Sequence, residues 1–351
     1  MVTKILSRRP ARQGRSAVRV WLSTVIGMLT TLLGLLLATF LIGRMIPIDP
    51  VLAIVGDRAT PDVVARVRLD LGLDRPLLEQ FWIYLQHLAR GDLGTSVMTS
   101  QSVIDDVLHF FPATLELATV SIVIAVLIGV PLGVISASKQ GSPLDNVLRV
   151  VSLAGQSTPV FVLGLLALLV FYVKLGITPG IGQQDLGFQG AVTERTGALI
   201  IDAALDGQWD AFRDAVVHLI LPSLVLAYAS FSMIMRMTRA FMLDALSGEF
   251  IVTARAKGLS AARVLWRHAF LNAAGRLVMV IVLAYAGLLE GAVLTETVFG
   301  WPGLGLYLTQ SLMNADINAV LGATLVIGGI YIVLNQIADV AYRILDPRVK
   351  S

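Results

Sequence analysis

Glu249-Phe-Ile-Val-Thr-Ala-Arg-Ala-Lys-Gly258-Leu-Ser260, running on to Arg267-His268-Ala-Phe-Leu-Asn272-Ala273, is a polar, basic stretch between two apolar runs, 216–241 and 277–299. It reads as two short helices around a turn. Glu249 stands toward the start of the first helix and Arg255 and Lys257 in its last turn, as the helix dipole favours. Gly258 suits the left-handed residue that follows a helix. Ser260 suits the cap of a second helix over 261–271. Ala254, Gly258 and Ala262 share a four-residue spacing, a face of small side chains that would admit another surface close to the backbone. Such a helix fits a groove in a partner protein. The competing reading is an amphipathic helix lying on anionic lipid. The cations fit that reading, but an interfacial helix would present Leu, Phe or Trp rather than a small face.

The flanking runs set the class. Of 351 residues, 56% are hydrophobic and 15% charged, with mean hydropathy +0.78, whereas a soluble domain carries about 25% charged residues. Several apolar runs exceed the roughly 20 residues that cross a bilayer as helix. Backbone satisfaction in lipid makes them helical, and the alternating segments of a barrel are absent. The expected fold is an all-α membrane protein with about six spans, at 20–46, 112–137, 144–175, 216–241, 277–299 and 319–342.

Charge orients these spans. Residues 1–19 carry Lys4, Arg8, Arg9, Arg12, Arg15 and Arg19 and no acid. The run after them is too long for a signal-peptide core, so it reads as a retained span. Segments 47–111 and 176–215 are net acidic, while 242–276 and the tail with Arg343, Arg348 and Lys350 are basic. Under the positive-inside rule both termini and the Glu249 segment are cytoplasmic. The pI near 9.3 is then topological charge rather than a nucleic-acid footprint. With no cysteine, the chain has no disulfide, thiolate metal site or cysteine nucleophile.

The chain divides into a cytoplasmic N-terminus and first span (1–46), an extracytoplasmic helical subdomain (47–111) and a transmembrane core (112–351). The core includes an outer loop, 176–215, and the docking segment, 244–272. In the subdomain, Pro61 starts a helix, Val63, Val64, Val67 and Leu71 recur at helical spacing, and Gly72 ends it. A second helix covers 77–89, and the outer loop contains a short one at 199–205.

Glu290, near the middle of the fifth span, is the charge that asks most for a role. An acid at a helix centre costs about 2.5–3.5 kcal/mol on insertion, so it should face the protein interior or a water-filled path. It reads as a pathway residue favouring cationic substrate groups, or as a neutral or partner-paired carboxyl. Arg44 and Lys174 lie near span ends and can snorkel to headgroups. Asn335 and Asp339, one turn apart, suit bonds across helices. Trp21 suits an interfacial anchor. His87, His109, His218 and His268 are scattered and make no metal-ligand spacing.

The docking segment resembles the EAA-type coupling motif of ABC importer permeases, in the form found in the dipeptide/oligopeptide permease family. The resemblance rests on Glu249, Thr253, Ala254, Arg255, Ala256, Lys257, Gly258, His268, Asn272 and Ala273. Other stretches agree along nearly the whole chain. They are Gly91-Asp-Leu-Gly94-Thr-Ser96, Pro112-Ala-Thr-Leu-Glu116-Leu-Ala118, Pro131-Leu-Gly133, Thr158-Pro159-Val-Phe161, His218-Leu-Ile-Leu-Pro222, Arg236-Met-Thr-Arg239, Glu296-Thr-Val-Phe299-Gly-Trp301-Pro-Gly303-Leu-Gly305 and Leu345-Asp-Pro-Arg348. One departure is the missing proline after Asn272-Ala273, which predicts an exit that bends differently, at Gly275.

The resemblance implies a type I importer permease in a bacterial inner membrane. It would pair with a second homologous permease, two ATPase subunits holding ATP and Mg, and an extracytoplasmic substrate-binding protein. This chain has no Gly-x-x-x-x-Gly-Lys-Ser/Thr loop, so it would bind no cofactor and be no enzyme itself. The implied cargo is di- or oligopeptides; relatives carrying nickel chelates, glutathione, opines or oligosaccharides are the alternative. Two other classes fit less well. A secondary transporter needs repeated halves and midplane ion sites, for which only Glu290 qualifies. An intramembrane hydrolase needs a nucleophile beside its base, and no span pairs a serine elbow with a histidine.

Overall fold

The structure is a computed structural model that describes residues 17–45, 50–56, 58–70 and 72–345. The basic N-terminal residues through Arg15 and the Asp346–Arg348 tail motif lie outside it, as does Leu71. So do the side chains of Trp21, Asp339 and Arg343. Among the described residues there is no β-strand, only one isolated bridge between Thr95 and Ser102.

Helix α1 (Ala17–Met45) is the first span, and α2 (Pro50–Val55), α3 (Pro61–Asp70) and α4 (Leu77–Ala89) form the segment that follows. The expected starts at Pro61 and Leu77 hold, and Gly72 takes φ +63° to end α3. Helices α5 (Val103–Ser138) and α9 (Trp209–Leu246) are the two central columns and pack most extensively on one another. Both outrun the expected spans: α5 starts before Pro112, which it carries inside along with Pro131, and α9, which carries Pro222, extends beyond 216–241 at both ends. The close contact has a glycine cause. A Cβ at Gly133 would lie 2.6 Å from the Met235 carbonyl oxygen and from Thr238 Cβ.

The third span departs from expectation. Residues 144–175 form two helices, α6 (Pro143–Ser157) and α7 (Val160–Ala167), the latter continued by a wider turn over Leu168–Lys174. They meet at 102°. Pro159 supplies the reason. It has no N–H and pushes the residue before it out of the helical region, and Thr158 has φ −98°, ψ 124°. Among the described residues, five helices are long and apolar enough to cross a membrane, six if the bent pair counts as one.

After the short outer-loop helix α8 (Leu199–Leu205) and α9 comes α10 (Glu249–Ala256). The expected separate helix over 261–271 does not exist as such. One turn, α11 (Ala261–Arg263), widens to i→i+5 pairing over Val264–Phe270 and runs without a break into α12 (Leu271–Phe299). Lacking proline after Asn272-Ala273, the chain stays helical through Gly275, so the predicted bend there is absent. Helices α13 (Leu304–Met313) and α14 (Ile317–Leu345) complete the bundle, with α14 against α12 and α1.

The main core joins Leu117, Ala125, Ile234, Met235, Leu288, Ala292 and Trp301, residues from α5, α9, α12 and the turn after it. Outward faces are apolar instead of charged: Leu29, Leu33, Val123, Leu127, Leu165 and Leu224 are all exposed. Contiguous apolar surface on this scale marks a protein that meets lipid or partner chains.

Candidate functional site

At one end of the bundle α10 lies against the ends of α5 and α9. Ile251 and Ala254 are buried with Val134, Ala137, Met242, Ala245, Val264, Ala269 and Ala273. This corrects the reading of the small face. Ala254 is 5% exposed and turns toward the chain's own spans, while Gly258 and Ala262 face outward. The three do not share one helix: Ala254 lies in α10, Gly258 in the turn and Ala262 in the turn of helix after it. Gly258 has φ +74° with open space where a Cβ would stand. Ser260 occupies the cap position, yet its hydroxyl makes no capping bond.

The outward surface of this segment is Glu249, Phe250, Val252, Thr253, Arg255, Ala256 and Lys257, continued by Arg263, Trp266 and Arg267 across the turn. Its apolar members are large: Phe250 is 42%, Val252 68% and Trp266 43% exposed. Exposed cations and large apolar side chains share this surface, the composition that the lipid reading called for rather than a small face, while Ile251 and Ala254 pack the segment as a knob onto the ends of α5 and α9. Of the nominated residues, Glu249, Thr253, Arg255, Ala256, Lys257 and Gly258 present this surface, His268 is half-buried behind it, and Ala254 anchors it.

Beneath the knob sits a group of charges that sequence reading did not single out together. Asp145, in the first turn of α6, is fully buried and takes two hydrogen bonds from Arg239 of α9, Nε at 2.7 Å and Nη2 at 2.8 Å. It also accepts from the Ser136 hydroxyl at 2.5 Å and the Gly141 amide at 3.0 Å. Ser142 caps the helix by accepting from the Asp145 amide. The available signal was an acid just after a proline-started helix and an Arg inside an apolar run, each in need of an opposite charge.

Glu290 opens on a groove among α1, α12, α13 and α14, a cavity of about 450 Å³ whose lining includes Thr31, Leu35, Val293, Thr324 and Tyr331. It is exposed there, and no ion pair engages it among the described residues. Asn335 donates to the Tyr331 carbonyl of its own helix rather than across helices. Arg44 lies over the Phe40 ring at 5.2 Å instead of extending freely.

The opposite end is knitted by buried acids. Glu296 is wholly buried and accepts from Thr114 and from the Gly305 and Leu306 amides at the start of α13. A helix N-terminus is a natural seat for a carboxylate. Gly303 and Gly305 are required there. A Cβ on Gly303 would fall 2.4 Å from Glu296 Cδ, and one on Gly305 2.5 Å from Val293 Cα. Trp301 donates its indole N–H to the Ala113 carbonyl. Asp316 accepts from Ser96 and Met98, which fixes the loop after α4, and Asp106 accepts from Thr99 and Tyr307. Glu116 holds the outer loop through Gln183 and the Ile200 amide.

Within that loop Asp202 accepts from the Arg195, Thr196 and Gly197 amides and the Thr196 hydroxyl. Burial alone would raise its pKa, but these hydrogen bonds outweigh it and hold the group below the usual carboxylate value. His218 was read as solitary. The fold brings it together with Asp185 and Asp214, their ligating atoms within 4.8 Å of one another. Its Nδ1 lies 2.9 Å from the Asp214 carbonyl, a local bond that fixes the ring.

Comparison with known proteins agrees with this architecture. Residues 129–351 match the binding-protein-dependent transport system inner membrane component family, and residues 17–118 match the N-terminal segment described for such membrane components. The chain is 42% identical to "Probable D,D-dipeptide transport system permease protein DdpB" of Escherichia coli K12, over 92% of this chain and 95% of that one. It is 41% identical to "Di/tripeptide transport system permease protein DppB" of Pseudomonas aeruginosa UCBPP-PA14, over 92% and 96%. It is 38% identical to "Dipeptide transport system permease protein DppB" of Escherichia coli K12, over 91% and 95%. A bundle of five or six apolar helices, matched along nearly its full length, thus belongs to the family of binding-protein-dependent transport system inner membrane components.

Proposed function

We propose that this chain is one of two permease subunits of an ATP-driven importer of di- and oligopeptides. The observation that carries the reading is the match to binding-protein-dependent permeases along nearly the whole chain, supported by the α10–α11 segment, which packs on the ends of α5 and α9 and leaves Arg255, Lys257, Arg263 and Arg267 exposed. Cargo class follows the relatives, whose names specify dipeptide and tripeptide transport.

The basic bias supports a cytoplasmic position for the knob and for both termini. Glu249, Thr253, Arg255, Ala256, Lys257 and Gly258 would enter a groove of an ATPase subunit, with Ala254 and His268 supporting them from behind. ATP and Mg would be held by two such ATPases, and this chain would supply no catalytic group. The segment containing α2, α3 and α4 would face outward and receive the substrate-binding protein. Glu290 would line or border the path and favour cationic groups such as a peptide amino terminus.

Purification from the native host in mild detergent tests the assignment. A second permease and nucleotide-binding subunits should accompany the wild-type chain. Gly258→Arg should lose the ATPases and keep the second permease. Gly258→Ala, strained at the same φ but small, separates backbone strain from blocked docking. If wild type purifies alone, the reading is wrong and an autonomous transporter takes its place.

A further inference from the structure

The Asp145–Arg239 pair stands at the junction of three things that an importer must move together. Arg239 lies one turn before Met242, which with Ala245 packs against Ile251 and Ala254 of α10. Asp145 begins α6, the helix that turns through 102° into α7. Ser136 and Gly141, bonded to the same carboxylate, belong to the end of α5 and the loop after it.

Further along, α6 stays tied to α9. The Tyr228 hydroxyl donates to the Val151 carbonyl at 2.8 Å, and Arg236 reaches Gln156. Gly155 admits Ser232 and Tyr228 so closely that any Cβ there would meet the Ser232 hydroxyl at 2.2 Å. At the other side of the elbow, α7 is held mainly by apolar packing. Gly164 sits against Val298 and Phe299 of α12, and Leu163 and Ala167 lie beside Leu221 and Val225. Polar, directional bonds are therefore concentrated on α6, and slippable apolar contact on α7.

We propose that Asp145 and Arg239 are positioning residues for energy coupling: their buried two-bond clamp carries movement of the α10 knob through α9 into α6 and so drives the Thr158–Pro159 elbow. This deepens the importer reading above and rests on it. Two parallel N–H···O bonds fix orientation as well as distance, which a single bond or an apolar contact does not. Displacement of the end of α9 therefore takes α6 with it, while the proline break lets α7 respond by changing angle. Asp145 is the group that must follow, because it would otherwise be left as an unpaired, buried charge.

The test uses the full complex with its binding protein in proteoliposomes, reading peptide delivered per ATP hydrolysed. Asp145→Asn and Arg239→Lys keep size and polarity but lose the two-bond geometry. Both should assemble with the ATPases and hydrolyse ATP, while peptide per ATP falls at least fivefold. A conservative variant, Asp145→Glu, keeps a carboxylate that can accept both Arg239 N–H bonds. It should retain more peptide per ATP than Asp145→Asn while assembling to the same extent, a split that a general folding defect would not show.

The proposal is overturned if peptide per ATP is unchanged in both Asp145→Asn and Arg239→Lys. It is also overturned if uptake and hydrolysis fall in step, or if the variants fail to assemble, since the pair would then hold the fold rather than transmit movement. Failure of the importer reading itself would look different: the wild-type complex would show no ATP-dependent uptake.

Discussion

Glu296 near the end of α12 accepts a 2.7 Å hydrogen bond from Thr114 of α5, a residue 182 positions earlier in the chain. With the Gly305 and Leu306 amides it closes a knot that joins α5, α12 and α13. Glu296→Ala would leave three donors without their acceptor. Each unsatisfied buried group costs roughly 1–3 kcal/mol, so thermal unfolding in detergent should show a loss of about 3 kcal/mol or more. Glu296→Gln keeps an accepting oxygen and should lose less.

The same knot predicts a sharp difference between glycines. Gly305→Ala drives a Cβ to 2.5 Å from the backbone of Val293, an atom that cannot swing away. Overpacking of this kind destabilises by about 1–3 kcal/mol. Gly187→Ala, with open space around it, should leave the melting temperature essentially unchanged.

On α10, inward and outward positions separate stability from docking. Ile251 is 1% exposed and Val252 68%. Ile251→Ala should cost about 2–5 kcal/mol, as large-to-small core changes do. Val252→Ala should alter stability by under about 0.5 kcal/mol and weaken capture of the ATPases in a pull-down.

The outer loop should be acid-labile through Asp202. Its folded pKa lies below the unfolded value, near 3.9 for a free Asp. Its stabilisation is therefore complete above the unfolded pKa and is lost as pH falls through the folded one. Pepsin should begin to cut between Asp185 and Asp206 only below about pH 4. Asp202→Asn should be cut across the whole acid range.

Glu290→Gln tests the pathway role directly. If the carboxylate favours cationic groups, uptake of a lysine-containing peptide should fall severalfold relative to a neutral one, read as their ratio in competition. Equal uptake of the two before and after the change would remove Glu290 from the pathway.

The sequence by itself determined the class, the approximate spans and several local elements. Runs of apolar residues, the starts at Pro61 and Leu77, the short helix at 199–205 and the left-handed turn at Gly258 follow from local preferences that act within a few residues. The missing proline after Ala273 was equally visible, but its consequence was an uninterrupted helix instead of a bend at Gly275. Only the tertiary structure decided which way faces point and which charges meet. Ala254 turned inward because Ile251 and Ala254 close on the ends of α5 and α9. The third span broke at Thr158–Pro159, and its buried acid found Arg239, 94 positions away. Glu296 reached Thr114 for the same physical reason. A buried charge must be satisfied, and which distant donor satisfies it depends on packing that brings the helices into contact, which periodicity along one helix does not encode.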